Sequence, residues 1–259
     1  MSAEAGVQPR APGRPPGKVV VVMPAHNAAR TLQRTVEAIP MEWVDEIILV
    51  DDSSTDGTVA LARTLPVRLI WHPHNVGYGG NQKTCYLEAL RRDADAVVML
   101  HPDGQYEPEL IPRMVAPILR GEADLVLGSR FAEPGTALAG GMPLYKYVCN
   151  RILTAVENRL IGTSMTELHT GYRAYSRALL LGVPFLRNAL DFSFDSELLM
   201  QAAHFRFRIT EVPARSRYFD DASSVGFKTA SVYGIKTLLA GGRLLLHRRG
   251  VLRSRKFAP

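Results

Sequence analysis

Two adjacent carboxylates, Asp51 and Asp52, follow a run of branched apolar residues and precede a loop of turn-forming residues. The run Ile47–Val50 has no polar alternation, which indicates a strand buried on both faces of a parallel sheet. Ligands of open α/β sheets bind beyond the carboxyl ends of the strands, so both aspartates are predicted to lie where a ligand is recognised. The alternative is that Asp52, Ser53 or Asp56 caps the following helix.

The same construction occurs a second time, after the apolar run Ala96–Leu100. His101, Asp103 and Gln105 follow this run, and in an extended loop their alternation would put all three side chains on one side. A carboxylate flanked by an imidazole and an amide oxygen forms an open site for a divalent cation. Such a cation takes its other ligands from water and phosphates. The segment therefore predicts a cation site that also needs a phosphate-bearing ligand.

Strands and helices alternate over the first half of the chain. This alternation predicts a parallel, doubly wound sheet with helices on both faces. After residue 128 the regular order ends, although Arg208–Val212 still has the pattern of a strand. We find no internal repeat and no linker, and we predict one domain over residues 18–225. Its predicted strands are Lys18–Met23, Ile47–Val50, Val67–Trp71, Ala96–Leu100 and Asp124–Gly128.

Composition restricts the protein class and its compartment. The chain has 259 residues and only two cysteines, which lack metal-site spacing and indicate a reducing compartment. The amino terminus has no apolar signal core. Residues 1–17 are rich in Pro, Gly and Ala, so we expect a disordered leader there.

The net charge of +6 is located at the carboxyl end, where six cations lie between Arg243 and Lys256 without an acid. A polybasic end suits an anionic bilayer surface or nucleic acid, or it maintains solubility. The preceding segment, Phe227–His247, is apolar but contains three cations and Gly241–Gly242, which makes it a poor membrane span. We predict an amphipathic, basic extension over residues 226–259 that lies on a surface, either the protein's own or a bilayer's. We favour the membrane and expect no nucleic-acid partner.

Seven pieces of the chain, in this order, resemble the family-2 glycosyltransferases of GT-A fold. The resemblance covers about residues 18–220 and is strongest to the branch that transfers mannose or glucose to polyprenyl or dolichyl phosphate. The matching pieces are Val22–Asn27, Val50–Thr58, Asn75–Gly79, His101–Tyr106, Leu127–Arg130, His169–Tyr175 and Phe194–Leu199.

The resemblance implies a fold and a reaction. The fold would be a Rossmann-like, mostly parallel sheet flanked by helices, here with a C-terminal helical extension. The reaction would be the inverting transfer of a hexose from a nucleotide-diphosphate sugar, GDP-mannose or UDP-glucose, to a polyprenyl-phosphate lipid. Such an enzyme would work at the cytoplasmic face of a membrane as a peripheral protein.

The resemblance also implies roles for individual residues. Asp103 and Arg130 would be the catalytic residues: Asp103, with Gln105, would bind Mg²⁺ or Mn²⁺ at the diphosphate, and Arg130 would meet the acceptor phosphate. A guanidinium fork suits that contact. Lys146 or Arg151 would be a second cation there. The nucleotide-sugar would be held by Pro24, Ala25, Asn27, Asp51, Asp52, Lys83 and Asp103.

The chain departs from the family pattern at two positions. His101 stands where the metal motif usually has its first acid, so it is either a weaker ligand or a packing residue. Glu167 stands where the family commonly has Asp.

Two other functions stay open. A hydroxyl acceptor would need a general base, for which Asp195 and Glu197 are the candidates unless they cap their helix. The third hypothesis is a non-catalytic protein that binds a nucleotide-sugar.

Overall fold

The computed structural model describes residues 10–215 and 227–258, without the side chains of residues 227–231. Its sheet is formed by β1 (Val19–Ala25), β2 (Glu46–Asp51), β3 (Arg68–Trp71), β4 (Ala96–Met99), β5 (Leu125–Ser129), β6 (Arg173–Ser176) and β7 (Ile209–Pro213). These seven strands have the order β3-β2-β1-β4-β6-β5-β7. Only β6 is antiparallel to its neighbours, β4 and β5. The predicted mostly parallel sheet is confirmed.

Helices cover both faces of this sheet. They are α1 (Leu32–Glu37), α2 (Thr58–Ala62), α3 (Tyr78–Arg91), α4 (Ile111–Leu119), α5 (Thr136–Ala139), α6 (Leu144–Ile161), α7 (Arg177–Gly182), α8 (Ser193–His204) and α9 (Phe227–Arg248). Single 3₁₀ turns occur at Pro108–Leu110, Phe185–Arg187 and Arg255–Phe257.

Strand β1 explains why the predicted strands lack polar alternation. Val20 and Val22 lie in one hydrophobic core with residues of α3 and α8, whereas Val19 and Val21 lie in a second core with residues of α1 and α4. All four valines are completely buried. A central parallel strand is covered on both faces, so every position along it must be apolar.

Strand β6 begins where β4 and β5 end, next to the loops that contain the candidate site residues. Its first residue, Arg173, is opposite Met99 at the end of β4 and opposite Leu127 near the end of β5. Because β6 runs antiparallel, it begins at the edge of the sheet where β4 and β5 end. The segment before β6 and the loops after β4 and β5 therefore meet at the same edge as the ends of β1 and β2.

Helix α3 begins at Tyr78, inside the glycine-rich segment Asn75–Gly80. Gly79 and Gly80 therefore lie in the first turn of this helix. A Cβ atom at Gly79 would lie only 2.4 Å from the carbonyl oxygen of Ala189, so a glycine is required where the helix approaches that backbone.

Part of the predicted leader contacts the body. Arg10 and Arg14 both form salt bridges with Asp45, and Arg14 also donates a hydrogen bond to the carbonyl of Gly17. Residues 10–17 thus pack against the domain rather than extend from it. Residues 1–9 lie outside the described residues.

The C-terminal extension also packs on the body. Helix α9 contacts α6 and α8. Beyond it the chain returns to the domain: Phe257 is buried, and Gln201 donates to the carbonyl of Lys256 over 2.8 Å. Residues 216–226, where we placed the domain boundary, lie outside the described residues. In the described part of the chain, no helix is long and apolar enough to cross a bilayer.

Candidate active site

The adjacent carboxylates Asp51 and Asp52 have different surroundings, although both are almost fully buried. Asp52 accepts hydrogen bonds from the backbone amides of Val76 and Gly77, at 2.9 and 3.1 Å, and its Oδ1 is 3.0 Å from Nδ1 of His72. Asp52 therefore fixes the loop that leads into α3. It does not cap the following helix, because α2 has Gly57 at its N-cap and no side-chain cap hydrogen bond.

Asp51 keeps one oxygen without a partner. Its Oδ1 accepts from the amide of Ser54 at 2.9 Å, whereas the buried Oδ2 has no hydrogen-bond partner among the described residues. An unpaired buried carboxylate oxygen costs free energy unless a ligand supplies a donor. Asp51 ends β2 and is paired in register with Ala25, the last residue of β1. This unpaired Oδ2 atom of Asp51 thus lies at the carboxyl edge of the sheet.

Asn27 joins the loops after β1 and β2. Its backbone amide donates to Oγ of Ser54 at 2.8 Å, and its side-chain oxygen accepts from the amide of Thr55 at 2.9 Å. Asn27 has a φ of +53°, a left-handed conformation that asparagine tolerates better than most residues. Pro24 and Ala25 lie in register with Val50 and Asp51. Pro24 and Ala25 of β1, and Asn27 in the loop after it, therefore lie beside the end of β2 and the loop that follows Asp51.

The loop after β4 turns instead of continuing as an extended chain. Asp103 Oδ1 accepts from the backbone amide of Gln105 at 3.0 Å, and Gly104 has a φ of +72°. The expected alternation of His101, Asp103 and Gln105 in an extended loop is therefore wrong, because a glycine with positive φ reverses the chain between them. The carboxylate and amide oxygens of Asp103 and Gln105 are hard ligands of the type that Mg²⁺ and Mn²⁺ prefer.

His101 packs between an aromatic ring and a backbone. Its imidazole is nearly parallel to the ring of Tyr78, with centroids 5.6 Å apart, and its Nε2 lies 3.3 Å from the Tyr78 hydroxyl. On the other side, a Cβ at Gly171 would lie 3.0 Å from the same nitrogen. Nowhere in residues 10–215 and 227–258 do three His, Cys, Asp or Glu side chains form a cluster that could hold a metal. These contacts favour the packing reading of His101.

Asp195 belongs to a buried hydrogen-bond network in the first turn of α8. Its carboxylate accepts from the Tyr78 hydroxyl at 2.7 Å and from the Gln82 amide at 3.1 Å, and its carbonyl accepts from Arg173 at 2.9 Å. Burial, followed by the charge of Asp195, raises the pKa of Tyr78 well above its ordinary value. Both oxygens of Asp195 therefore already have donors from the chain.

Arg130 follows β5 directly and is held by Glu167. Its Nε lies 2.9 and 3.1 Å from the two carboxylate oxygens, its Nη2 forms a salt bridge with the same group, and its backbone amide donates to Oε2 at 2.7 Å. Nη2 also donates to the carbonyl of His169 at 3.2 Å. Both side chains are buried. Asn150 donates a further hydrogen bond to Glu167 at 3.0 Å.

The other predicted cations lie in different places. Lys146 is near Arg130: partial burial, and then repulsion by the Arg130 charge, lowers the pKa of its ammonium group. Arg151 is exposed and lies over the ring of Phe131, 5.9 Å from its centroid. Lys83 donates to the carbonyl of Asn188. Of the two candidates for a second cation, Lys146 is the one whose pKa is lowered by the charge of Arg130.

Glu197 is part of the attachment of the C-terminal segment. Its Oε2 accepts from the amide of Ala189 at 2.7 Å, and its Oε1 forms a salt bridge with Lys256. Lys83 interacts with both of these charges. The pKa of its ammonium group is lowered, because burial and the charge of Lys256 outweigh the opposite effect of Glu197. The two candidate general bases thus have separate surroundings: Asp195 lies beside Tyr78, and Glu197 lies beside Lys256.

Sequence reasoning missed two residues that organise this site. Tyr78 links His101 to Asp195, and Arg173 donates to the carbonyls of Leu168 and Thr170 at 3.0 and 2.7 Å, which fixes the segment before β6. Both residues lie inside the motifs that carry the family resemblance.

Comparison with known proteins identifies the family. The sequence profile described as Glycosyl transferase family 2 matches residues 20–182. The chain is 28% identical over 249 residues to the UDP-N-acetylglucosamine–dolichyl-phosphate N-acetylglucosaminyltransferase of Methanococcus voltae, covering 90% of this chain and 96% of that protein. It is 30% identical over 213 residues to the polyprenol monophosphomannose synthase of Mycolicibacterium smegmatis, covering 77% of each.

A solved structure gives the same fold. Glucosyl-3-phosphoglycerate synthase from Mycobacterium tuberculosis, in complex with Mn²⁺, UDP and glucosyl-3-phosphoglycerate, superposes with a TM-score of 0.65 at 22% identity. The match covers 92% of this chain and 82% of that one. The expected GT-A fold is confirmed. From the match to the family profile and these relatives, the chain belongs to glycosyltransferase family 2.

Proposed function

We propose that this glycosyltransferase transfers a hexose, with inversion, from a nucleotide-diphosphate sugar to the phosphate of a polyprenyl lipid. The observation that carries the proposal is the placement of Arg130, which directly follows β5 at the edge of the sheet and whose guanidinium is oriented by Glu167. Glu167 compensates the charge of Arg130, and the nearby ammonium group of Lys146 adds a further positive charge that would attract an anionic acceptor. The two relatives named above are a dolichyl-phosphate transferase and a polyprenol monophosphomannose synthase, which supports a lipid phosphate as that anion.

The donor would occupy the edge formed by β1, β2 and the loop after β4. The unpartnered Oδ2 of Asp51 would accept a hydrogen bond from the base or ribose, and Pro24, Ala25 and Asn27 would frame it. Asp103 and Gln105 would hold Mg²⁺ or Mn²⁺ together with the diphosphate. The metal would stabilise the leaving nucleoside diphosphate. Asp52 would act on the donor indirectly, through the loop at Val76 and Gly77.

A phosphate acceptor removes the need for a general base. Its oxygen is an anion at neutral pH, so the enzyme has to position it and neutralise charge in line with the anomeric carbon. Arg130, oriented by Glu167, and Lys146 would perform that task. The carboxylate of Asp195 is occupied by Tyr78 and Gln82, and that of Glu197 by Lys256. These contacts count against either acid as the base for a hydroxyl acceptor.

Helices α6 and α9 support an acceptor that resides in a membrane. They pack against each other, and each carries a row of exposed apolar side chains. On α6 the polarity is partly reversed, because Thr154 and Glu157 are buried while the apolar side chains of Leu144, Val148 and Ile152 are exposed. We define the α6–α9 surface as Leu144, Tyr145, Val148, Ile152, Val156, Val232, Ile235, Leu238, Leu239 and Leu246.

We assign this α6–α9 surface to the interface of an anionic bilayer. Patches of this kind on a soluble domain mark an interaction site, and helices with an apolar face lie in the interfacial region. Exposed cations flank it on both helices: Arg151 and Arg159 on α6, and Arg243 and Arg248 on α9. Their charge favours anionic lipids by about 1 kcal/mol each. Lys146 lies on the same helix as the apolar row, so the acceptor phosphate would meet its cations at the membrane surface.

A transfer screen of the purified protein tests the proposal. GDP-mannose, UDP-glucose and UDP-N-acetylglucosamine would each be supplied with Mg²⁺ or Mn²⁺, with and without a short polyprenyl phosphate. We expect one donor to transfer its sugar to the lipid phosphate. Donor turnover that requires a hydroxyl acceptor and ignores the lipid phosphate would overturn the proposal.

Membrane contact needs a separate measurement. We expect the protein to float with vesicles that contain anionic lipid, and Ile152→Glu with Ile235→Glu to stay at the bottom of the gradient. Leu181→Glu is the matched control, because Leu181 is equally exposed but lies on α7. Equal flotation of the two variants would contradict the assignment of the α6–α9 surface.

A further inference from the structure

A layer of polar side chains is buried between α6, α8 and α9. The Tyr233 hydroxyl of α9 lies 2.8 Å from Nδ1 of His169 and 2.8 Å from Oγ of Ser196 on α8. Ser196 in turn lies 3.1 Å from Oγ1 of Thr237 on α9. The Tyr233 ring meets the imidazole edge-on, with centroids 5.6 Å apart. Tyr233 thus connects α9 to the segment before β6.

Helix α6 contributes Glu157 to this polar layer, and the side chain of Glu157 is completely buried. Its Oε2 lies 2.8 Å from Nε2 of His169, a close contact in which neither atom has a hydrogen-bond partner among the described residues. His169 is therefore confined from both ring nitrogens, by α9 on one side and by α6 on the other. Burial, and then the charge of Glu157, raises the pKa of Tyr233, which keeps its hydroxyl protonated.

His169 connects this layer to the candidate acceptor site. Its backbone carbonyl accepts a hydrogen bond from Nη2 of Arg130 at 3.2 Å. The same nitrogen is paired with Glu167, so two acceptors of one short segment determine its direction. A ring that is hydrogen-bonded at Nδ1 by Tyr233 and packed at Nε2 against Glu157 restricts the backbone that carries it, and with it the carbonyl that Arg130 contacts. An unbroken series of contacts thus runs from α9 to the guanidinium.

We propose that Tyr233 is a positioning residue for acceptor binding: through His169 it orients Arg130, so the acceptor site is complete only while α9 is docked. This inference rests on the proposed function for the identity of the acceptor. It has a mechanistic consequence, because α9 also contributes to the α6–α9 surface. The helix that contacts the bilayer would then also set the cation that meets the lipid phosphate.

Tyr233→Phe tests the proposal, since it removes one hydroxyl and keeps the ring. The matched control is Thr237→Val, which removes a buried hydroxyl from the same helix but has no contact with His169. If Tyr233 only stabilises the fold, the two variants lose stability and activity alike. Loss of one hydrogen bond to a positioned group corresponds to about three- to tenfold in binding.

We expect Tyr233→Phe to raise the KM for short polyprenyl phosphate by about three- to tenfold. The affinity for GDP or UDP, measured by calorimetry, would be unchanged, and Thr237→Val would keep the wild-type KM. An unchanged KM in Tyr233→Phe, or equal increases in both variants, would overturn the proposal.

A second readout does not depend on activity. The Nε–H resonance of Arg130 can be followed in ¹⁵N-labelled protein and assigned by its absence in Arg130→Lys. We expect it to shift in Tyr233→Phe and to remain in place in Thr237→Val. A shift in a protein without lipid-phosphate transfer would refute the proposed function and retain the positioning role. An unshifted resonance in an active protein would refute the positioning role alone.

Discussion

Glu167 binds Arg130 twice, at the guanidinium and at the backbone amide. A carboxylate that holds both ends of one residue fixes its backbone and its side chain together. It also neutralises a charge that would otherwise be buried alone, and such an unpaired charge is among the costliest features of a protein interior. The candidate acceptor cation is thus built into the fold by a residue 37 positions later in the chain.

Removal of the Glu167 charge should destabilise the protein strongly. We expect Glu167→Gln to lower the free energy of unfolding by about 3 kcal/mol, because Arg130 is left buried without a counter-charge. The measurement is urea denaturation. Glu88→Gln is the control: its partner Arg91 is largely exposed, and its loss should cost less than about 1 kcal/mol. Similar losses in both variants would contradict the buried pair.

The same pair predicts an acid dependence. Burial raises the pKa of Glu167, but the Arg130 charge and its hydrogen bonds outweigh this and hold the pKa below its ordinary value. A depressed pKa contributes stability above the pKa of the unfolded chain, about 4.3 for Glu. That contribution is lost as the pH falls through the folded pKa. The stability difference between wild type and Glu167→Gln should therefore shrink below about pH 4. A constant difference would be evidence against the depressed pKa.

Asp51 and Asp52 should respond differently to the same substitution. Asp51→Asn should weaken the binding of GDP or UDP by about tenfold or more, with little loss of stability, because its Oδ2 has no partner in the described chain. Asp52→Asn should instead lower the free energy of unfolding by about 1–3 kcal/mol, because it weakens the hold on Val76 and Gly77. Calorimetry and denaturation of both variants check this. Interchanged effects would refute the assignment.

Asp103 and His101 should differ in their effect on metal binding. We expect Asp103→Asn to abolish sugar transfer and to reduce Mn²⁺ affinity, measured by electron paramagnetic resonance with UDP or GDP present. His101→Asn should leave the Mn²⁺ affinity unchanged, because its imidazole packs against Tyr78. Asp93→Asn, at an exposed position on the opposite edge, is the control. A large loss of affinity in His101→Asn would restore it as a ligand.

Lys146 predicts an alkaline limit for acceptor binding. Partial burial and the nearby charge of Arg130 lower its pKa, so its charge is lost at a lower pH than that of an ordinary lysine. The KM for polyprenyl phosphate should therefore rise as the pH passes the folded pKa. Lys146→Arg should move this rise to higher pH, since arginine stays charged. An unmoved profile would exclude Lys146 from the acceptor site.

Local sequence patterns were sufficient to predict the early strands and the loops that follow them. Apolar runs predicted all five of the early strands, and in β1, β2, β4 and β5 they are nearly continuous because these strands are buried on both faces. Strand β3, at the edge of the sheet, contains Arg68 and is only partly buried. The loops were located because parallel strands end at one edge of a sheet, so Asp51 and Asp103 were both assigned to that edge. Family resemblance added Arg130 and the reaction class.

Tertiary structure decided what depends on distant partners. Strand β6 was not predicted, because Arg173 in its first position looks unsuited to a buried strand; its hydrogen-bond partners include the carbonyls of Leu168, Thr170 and Asp195, which lie outside the strand. The unequal environments of Asp51 and Asp52 depend on a loop more than twenty residues away. Likewise, the outward apolar rows of α6 and α9 have meaning only once the buried Glu157 and Tyr233 fix which faces point inward. Hydrophobic pattern is local, whereas pairing of buried polar groups is a property of the folded chain.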